Sequence, residues 1–338
     1  MQRSAVLVDP RFREHDPGAG HPERPDRVAV LEHLVADWEG TTLERVAPRP
    51  ATDEEILAIH SAGLLDTMRS TEGRRCRIDA DTATSARSYE TALLAAGGLI
   101  ELVDAVATRA HRNGFAFVRP PGHHATSTQA MGFCFFNNAA IAAHHLRAKH
   151  GYERVAIIDW DLHHGNGTEA IFYEDPGVLY VSLHQYPYYP GTGAASDVGR
   201  GAGAGFNVNV PFSPGVGDAG FLLAFEQVIE PVLRQYAPQF VLVSAGFDAH
   251  HRDPLGSLQV TERGYHEMAR RLLALADDVA GGRFAAVLEG GYDLDAIRNS
   301  TEAVLSAMST PLVLPEDLDV SSDALEPLKR VLRPYWSL

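Results

Sequence analysis

Cysteine is scarce in this chain, and so is positive charge. Of 338 residues only Cys76 and Cys134 carry a thiol, too few for a disulfide framework. The expectation is a reducing, cytoplasmic compartment. Lysine and arginine number 29 against 44 aspartates and glutamates, a formal net charge of -15 with a pI of about 5.5. That balance disfavours non-specific binding to nucleic acid or to an anionic membrane, and it is compatible with cationic ligands. No apolar run approaches the length of a membrane span. The first ten residues are too poor in apolar side chains for a signal peptide. No repeat, low-complexity segment or linker divides the chain, which reads as a single domain over residues 1–338.

What is present is a globular composition, 45% hydrophobic and 22% charged, with enough chain to bury a core. Ser4 to Val8 reads as a strand and residues 10 to 26 as a loop, followed by a helix to Trp38. Thr52 to Ala62 has a polar cap and early acids, a helix start signal. Residues 71 to 85 are loop-like, and the alanine-rich Ser88 to Thr108 is a buried helix. Strand and helix then alternate. Strands are expected at 115–118, 155–158, 178–183, 240–244 and 284–288, and helices at 137–149, 168–173, 221–236, 261–279 and 293–307. A closing amphipathic helix spans 325–336, and 184–205 is an irregular Pro/Gly/Tyr loop. This order predicts an α/β fold with a mainly parallel sheet and helices on both faces.

Periodicity does not locate a site, but the residues at the strand ends do. Ile157-Ile158 runs into Asp159-Trp160-Asp161-Leu162-His163-His164-Gly165-Asn166-Gly167. Ligands of open α/β sheets sit at the carboxyl ends of strands, so this strand presents two carboxylates and two imidazoles to the crevice. Extended alternation would set Asp159, Asp161 and His163 on one side. Three other strands end comparably, in Arg119-Pro120-Pro121-Gly122-His123-His124, Ser244-Ala245-Gly246-Phe247-Asp248 and Glu289-Gly290-Gly291-Tyr292-Asp293.

Carboxylate oxygen and imidazole nitrogen are ordinary zinc ligands, and three of them with an open fourth position make a catalytic site. Asp161, His163 and Asp248 are the candidates. A lone aspartate more commonly caps a helix or pairs with arginine; it is the Asp-x-His pair with a third acid at another strand end that favours a metal. The tandem His123 and His124 behind a rigid Pro-Pro-Gly turn suit general acid/base work, because histidine titrates near neutrality. Tyr292 after two glycines is a donor able to stabilise an oxyanion. Gly132-Phe133 and Tyr188-Tyr189 offer aromatic walls for a narrow slot.

Together these motifs, with Gly132-Phe133-Cys134, resemble the zinc-dependent histone deacetylase family, whose superfamily includes the acetylpolyamine amidohydrolases. The resemblance extends from His21-Pro22-Glu23-Arg24 to the final helix. It implies an arginase-deacetylase-like three-layer α/β/α fold, and one catalytic zinc held by Asp161, His163 and Asp248. It implies His123 oriented by Asp159, and His124 as general base oriented by Asn166. Asn166 matches the class II pattern, where many class I members carry Asp. Tyr292 would polarise the amide carbonyl, and its presence implies an active enzyme. One or two structural potassium ions are implied, one around Asp159, Asp161, His163, Ser182 and Leu183. Asp81 resembles the rim aspartate that holds the substrate backbone, and Phe133 and Tyr189 the tunnel walls beside Gly132.

The resemblance implies hydrolysis of N-acetyl groups on lysine-type side chains, giving acetate and a free amine. Leu255 stands where polyamine-specific members tend to carry glutamate, which disfavours an acetylpolyamine substrate. Alternatives left open are acetylpolyamine hydrolysis, an acetyl-ligand binding module without turnover, and an arginase-like manganese hydrolase, which would want more metal-bridging carboxylates. The expected partner is an acetylated protein, peptide or small amine, not nucleic acid or membrane. Acyl length, zinc versus iron, and assembly into a homo-oligomer are undetermined by sequence.

Overall fold

A computed structural model describes residues 3–38, 42–309 and 323–338. Eight strands form one sheet: β1 (Ser4–Leu7), β2 (Leu43–Arg45), β3 (Gly114–Ala116), β4 (Val155–Asp159), β5 (Val178–Gln185), β6 (Asn207–Phe212), β7 (Phe240–Ala245) and β8 (Phe284–Leu288). Their order across the sheet is β2-β1-β3-β8-β7-β4-β5-β6, and every pairing is parallel. Parallel strands need covered faces. Accordingly every residue of β4, β7 and β8 is buried, as their unbroken apolar runs require.

Eleven α-helices surround the sheet among the described residues: α1 (Asp26–Trp38), α2 (Asp53–Leu57), α3 (Ala62–Arg69), α4 (Ser88–Ala107), α5 (Asn138–His150), α6 (Asn166–Phe172), α7 (Asp218–Ala224), α8 (Glu230–Tyr236), α9 (Glu262–Val279), α10 (Leu294–Ser309) and α11 (Glu326–Leu332). The pair α4 and α5 packs on the central strands, as does α9, while α9 packs on α10 and α10 on α1. Among the described residues no helix is long and apolar enough to cross a membrane.

Several expectations need correction. The segment 52–62 is not one helix. Thr52 does form a capping box with Glu55, but α2 ends at Leu57 and Ser61 caps a second helix, α3. Residues 10–14, expected as loop, form a 3-10 helix. The helix expected at 221–236 is α7 and α8 joined by a π-helical stretch, Phe225–Ile229. The closing helix stops at Leu332 rather than Trp336. Two strands not expected from the sequence, β2 and β6, are the edges of the sheet. Pro211 sits within β6, a residue that only an edge strand tolerates.

The sheet order has one consequence for chemistry. Strands β3, β8, β7 and β4 are consecutive neighbours, although β3 and β4 are far from β7 and β8 in sequence. Parallel register aligns Asp159 with Ser244, and Ser244 with Val287. The four polar strand ends therefore lie side by side on one rim.

Candidate active site

At that rim Asp161, His163 and Asp248 converge, with their ligand atoms all within 4.8 Å of one another. His163 Nδ1 lies 3.2 Å from Asp161 Oδ1 and 3.0 Å from Asp248 Oδ2. The remaining carboxylate oxygens are fixed from outside the cluster. Gly290 N donates to Asp161 Oδ2 at 2.8 Å, and Leu162 N to Asp248 Oδ1 at 2.8 Å. All three side chains are buried, and a buried carboxylate pair is costly unless a positive charge lies between. Asp248 shows that tension: burial, then the charge of Asp161, pushes its pKa up to about 7. His163 responds oppositely, for burial opposes its charge but its bonds to the two carboxylates hold it up at about 9. A proton on Nδ1 or a divalent cation answers the same demand. An Asp2His donor set with nitrogen and oxygen ligands fits zinc. Gly290 makes this packing feasible, since a Cβ there would collide with Asp161 and Asp248.

Beside the cluster stand His123 and His124, at the end of the segment that follows β3. His123 Nδ1 donates to Asp159 Oδ2 at 3.0 Å, and its Nε2 is 3.8 Å from Asp161 Oδ1. His124 Nδ1 donates to Asn166 Oδ1 at 2.8 Å. Burial works against charge on both. For His123 the carboxylates Asp161 and Asp159 outweigh it and raise the pKa to about 10. For His124 burial is joined by the charges of His123 and His163, and the pKa falls well below its ordinary value. The two adjacent rings are thus pushed in opposite directions, His123 toward holding a proton and His124 toward the neutral form.

Asp159 is not a member of the metal-type cluster. β4 ends at this residue, so extended alternation does not continue to Asp161 and His163. Its carboxylate instead accepts from His123, from Tyr180 Oη at 2.9 Å and from Asp161 N at 3.1 Å. The second imidazole expected in the crevice is also elsewhere. His164 turns away and pairs with Glu169 at 3.1 Å and Thr192 at 2.8 Å. Ser182, named with Leu183 for potassium, is the register partner of Asp159, and its hydroxyl lies 2.9 Å from His184 Nδ1.

Above the cluster is a cavity of about 220 Å³ lined by Asp81, His124, Gly132, Phe133, His163, Tyr188, Tyr189, Leu255 and Tyr292. The substrate-side residues expected from the sequence are thus gathered in one place. Phe133 meets Tyr292 edge-on with centroids 6.0 Å apart, and Tyr189 meets His124 edge-on at 5.2 Å. Gly132 adopts φ +55, and a Cβ there would strike the His124 ring. Tyr292 is buried, and burial followed by the Asp248 charge pushes its pKa well above 10, so it remains a phenol and a donor. At the mouth, Asp81 accepts from the Thr82 hydroxyl at 3.1 Å, and its carbonyl lies 3.0 Å from His21 Nε2.

The sequence reading missed the residues that hold these groups. Glu289 Oε2 accepts from Gly122 N at 2.7 Å and His123 N at 3.1 Å, while Oε1 accepts from the Ser244 hydroxyl at 3.0 Å. Asp253 Oδ2 accepts from Tyr292 N at 2.6 Å. Arg27 donates to the carbonyls of Gly291 and Glu289 and lies 5.0 Å over the Tyr292 ring. Glu23 neutralises both Arg27 and Arg119 in the interior. Three of these residues lie in or beside motifs visible in the sequence, Glu289 as the first residue of Glu289-Gly290-Gly291-Tyr292. Glu23 lies within His21-Pro22-Glu23-Arg24, and Asp253 directly precedes Pro254-Leu255.

The model of the histone deacetylase domain matches residues 21–308. A probable deacetylase of Archaeoglobus fulgidus is 38% identical over 354 residues, covering 98% of each chain. Histone deacetylase 15 of Arabidopsis thaliana is 43% identical over 296 residues, 85% of this chain and 52% of that protein. Histone deacetylase 9 of Homo sapiens is 38% identical over 344 residues, 90% of this chain and 34% of the relative. The chain thus spans the archaeal relative but about half or a third of these two eukaryotic ones. The crystal structure of the HDA15 HD domain superimposes with a TM-score of 0.86 and 41% identity over 90% of each chain.

Proposed function

The chain belongs to the histone deacetylase domain family, and from that premise we propose that it is a zinc-dependent amidohydrolase releasing acetate from acetyl-lysine-type side chains. The observation that carries this reading is the floor of the cavity. An Asp2His cluster lies beneath paired imidazoles whose pKa values are pushed in opposite directions, with a phenol across from them. Asp161, His163 and Asp248 would hold the zinc. Bound there, zinc supplies Lewis acidity toward a carbonyl and acidifies a water molecule.

The side chains divide the remaining work. His124 Nε2 accepts the proton of the attacking water while Asn166 holds the proton on Nδ1. The charge on His123, kept by Asp159, steadies the developing anion. Tyr292 Oη donates to the former carbonyl oxygen, and that bond strengthens as the oxygen becomes negative. The proton taken up by the imidazole pair is then given to the leaving amine nitrogen as the C–N bond breaks. Phe133 and Tyr189 flank the apolar stem and keep water from it. Asp81 at the mouth is placed to accept from a peptide N–H. A potassium ion around Asp159, Asp161, His163, Ser182 and Leu183 would be structural. A cytoplasmic location is part of the same proposal and rests on the paucity of cysteine.

The decisive assay is deacetylation of an acetyl-lysine peptide by zinc-loaded and chelated protein. Turnover that survives chelation would overturn the proposal. The acid surplus of the chain keeps one second reading, acetylpolyamine hydrolysis. The ratio of kcat/KM for acetyl-lysine peptide and acetylputrescine separates the two. The peptide is expected to win, and Leu255→Glu to move the ratio toward the polyamine.

A further inference from the structure

Far from this cavity, α4 and α5 pack against one another, and near their carboxyl ends three ligand-type side chains meet. Asp104 of α4 presents one carboxylate oxygen, Oδ1, to two imidazoles of α5: His145 Nε2 at 2.8 Å and His150 Nε2 at 2.6 Å. The ligand atoms of the three lie within 4.8 Å of one another, the same limit met by the active-site cluster. We propose that Asp104, His145 and His150 form a second metal site, for a borderline divalent cation such as zinc, nickel or copper(II).

Donor chemistry supports this choice. Two imidazole nitrogens and a carboxylate oxygen suit those ions and not magnesium or calcium, which prefer oxygen alone. Both rings aim the same nitrogen at one oxygen, so a cation bonded at about 2.0–2.2 Å takes the place of two N–H protons with a modest outward shift. His150 is pre-oriented, because its ring stacks on Tyr152 at 5.9 Å and 25°. It is the last residue of α5, which ends in a left-handed Gly151, and the negative end of the helix dipole favours a cation there. The carboxylate is ionised, since hydrogen bonds from His150, Lys149 and His145 overcome burial and hold its pKa at about 2. The three side chains are 13–19% exposed, enough for an ion to enter from solvent.

One group competes. Lys149 Nζ lies 2.5 Å from Asp104 Oδ2, and its charge opposes a cation on the other oxygen. Its side chain is 57% exposed, so it can swing into water. A simple ion-paired clasp would need Lys149, whereas a metal site is better without it.

The test counts metal in protein whose active site is already loaded. After equilibration with Zn2+ and gel filtration, wild type is expected to hold one zinc more than a His145→Gln/His150→Gln variant. Deacetylase activity of that variant, expected unchanged, reports that its fold is intact. Lys149→Gln is expected to bind the extra zinc about tenfold tighter in competition with a chelator. Equal zinc in wild type and the double variant, or weaker binding in Lys149→Gln, would overturn the assignment. A chain that failed as a deacetylase but kept this extra zinc would leave the second site standing alone.

Discussion

His123 and His124 lie with ring centroids 4.0 Å apart, yet one gives its Nδ1 proton to a carboxylate and the other to an amide. Burial opposes charge on both rings; the nearby Asp161 and Asp159 outweigh it at His123, whereas at His124 the charges of His123 and His163 add to it and the amide partner offsets little. A carboxylate stabilises imidazolium; an amide oxygen orients a ring without doing so to the same degree.

Replacing the amide by the carboxylate should therefore move the pH profile. With Asn166 the pKa of His124 sits well below the ordinary value. The base form then persists through neutrality and is lost on the acid side of it. Asn166→Asp brings a negative charge to Nδ1 and raises that pKa. The acidic limb of kcat/KM against pH is expected to shift upward by about one unit. An unmoved limb would deny His124 the role of base.

Among the described residues the Tyr292 hydroxyl has no hydrogen-bond partner, whereas the residue's backbone is held by Asp253 and its ring lies under Arg27, contacts that phenylalanine preserves. Tyr292→Phe should lower kcat by about 10²–10³-fold with little change in melting temperature or KM. Retained turnover would remove the phenol from the mechanism. A loss of binding in step with turnover would make its role one of affinity.

How much of this was legible in the residues is clearest at β4. Four apolar residues ending in Asp159 announce a buried strand, and the polar residues that follow announce its functional end. The convergence with Asp248 required only that the sheet be parallel. What the sequence could not convey is direction beyond the strand. The chain bends after Asp159, so His164 faces Glu169 while His163 faces the cavity. Edge strands were equally hidden, because β2 is three residues long and β6 carries two asparagines and a proline. Glu289, Asp253 and Arg27 brace the site largely through backbone atoms, and such partners are not specified by side-chain identity, so the residues could be seen in the sequence but their bracing role could not.

Removing the metal should expose a pH-dependent weakness. In the metal-free cluster His163 has a folded pKa of about 9, above an unfolded value of about 6.5. Its protonation stabilises the fold fully below about pH 6.5, and that contribution is lost as pH rises through about 9. Asp248, held at about 7 by burial and Asp161, acts in the same direction, because the unfolded carboxyl ionises near about pH 4. A bound divalent ion replaces the bridging proton and removes this loss. The gap in melting temperature between zinc-loaded and chelated protein should widen steadily between about pH 6 and pH 9. A gap independent of pH would place the metal elsewhere.

Glu289 offers a test of how the histidine pair is held, because its two oxygens do different jobs. Oε2 takes the N–H groups of Gly122 and His123, and Oε1 takes the hydroxyl of Ser244. All of this is buried, and burial raises the carboxyl pKa to about 7 against the charge of His123. Glutamine can reproduce the arrangement. Its carbonyl oxygen faces the two backbone donors, and its amide donates to a Ser244 hydroxyl that rotates to accept. Alanine leaves three buried donors without partners beside a cavity. Glu289→Ala is therefore expected to cost about 3–5 kcal/mol, enough to threaten folding. Glu289→Gln should cost about 1 kcal/mol or less and keep most activity. Urea denaturation of the two variants measures the contrast. If Gln proved as damaging as Ala, the negative charge of Glu289 would matter in its own right, through His123 rather than through the turn it braces.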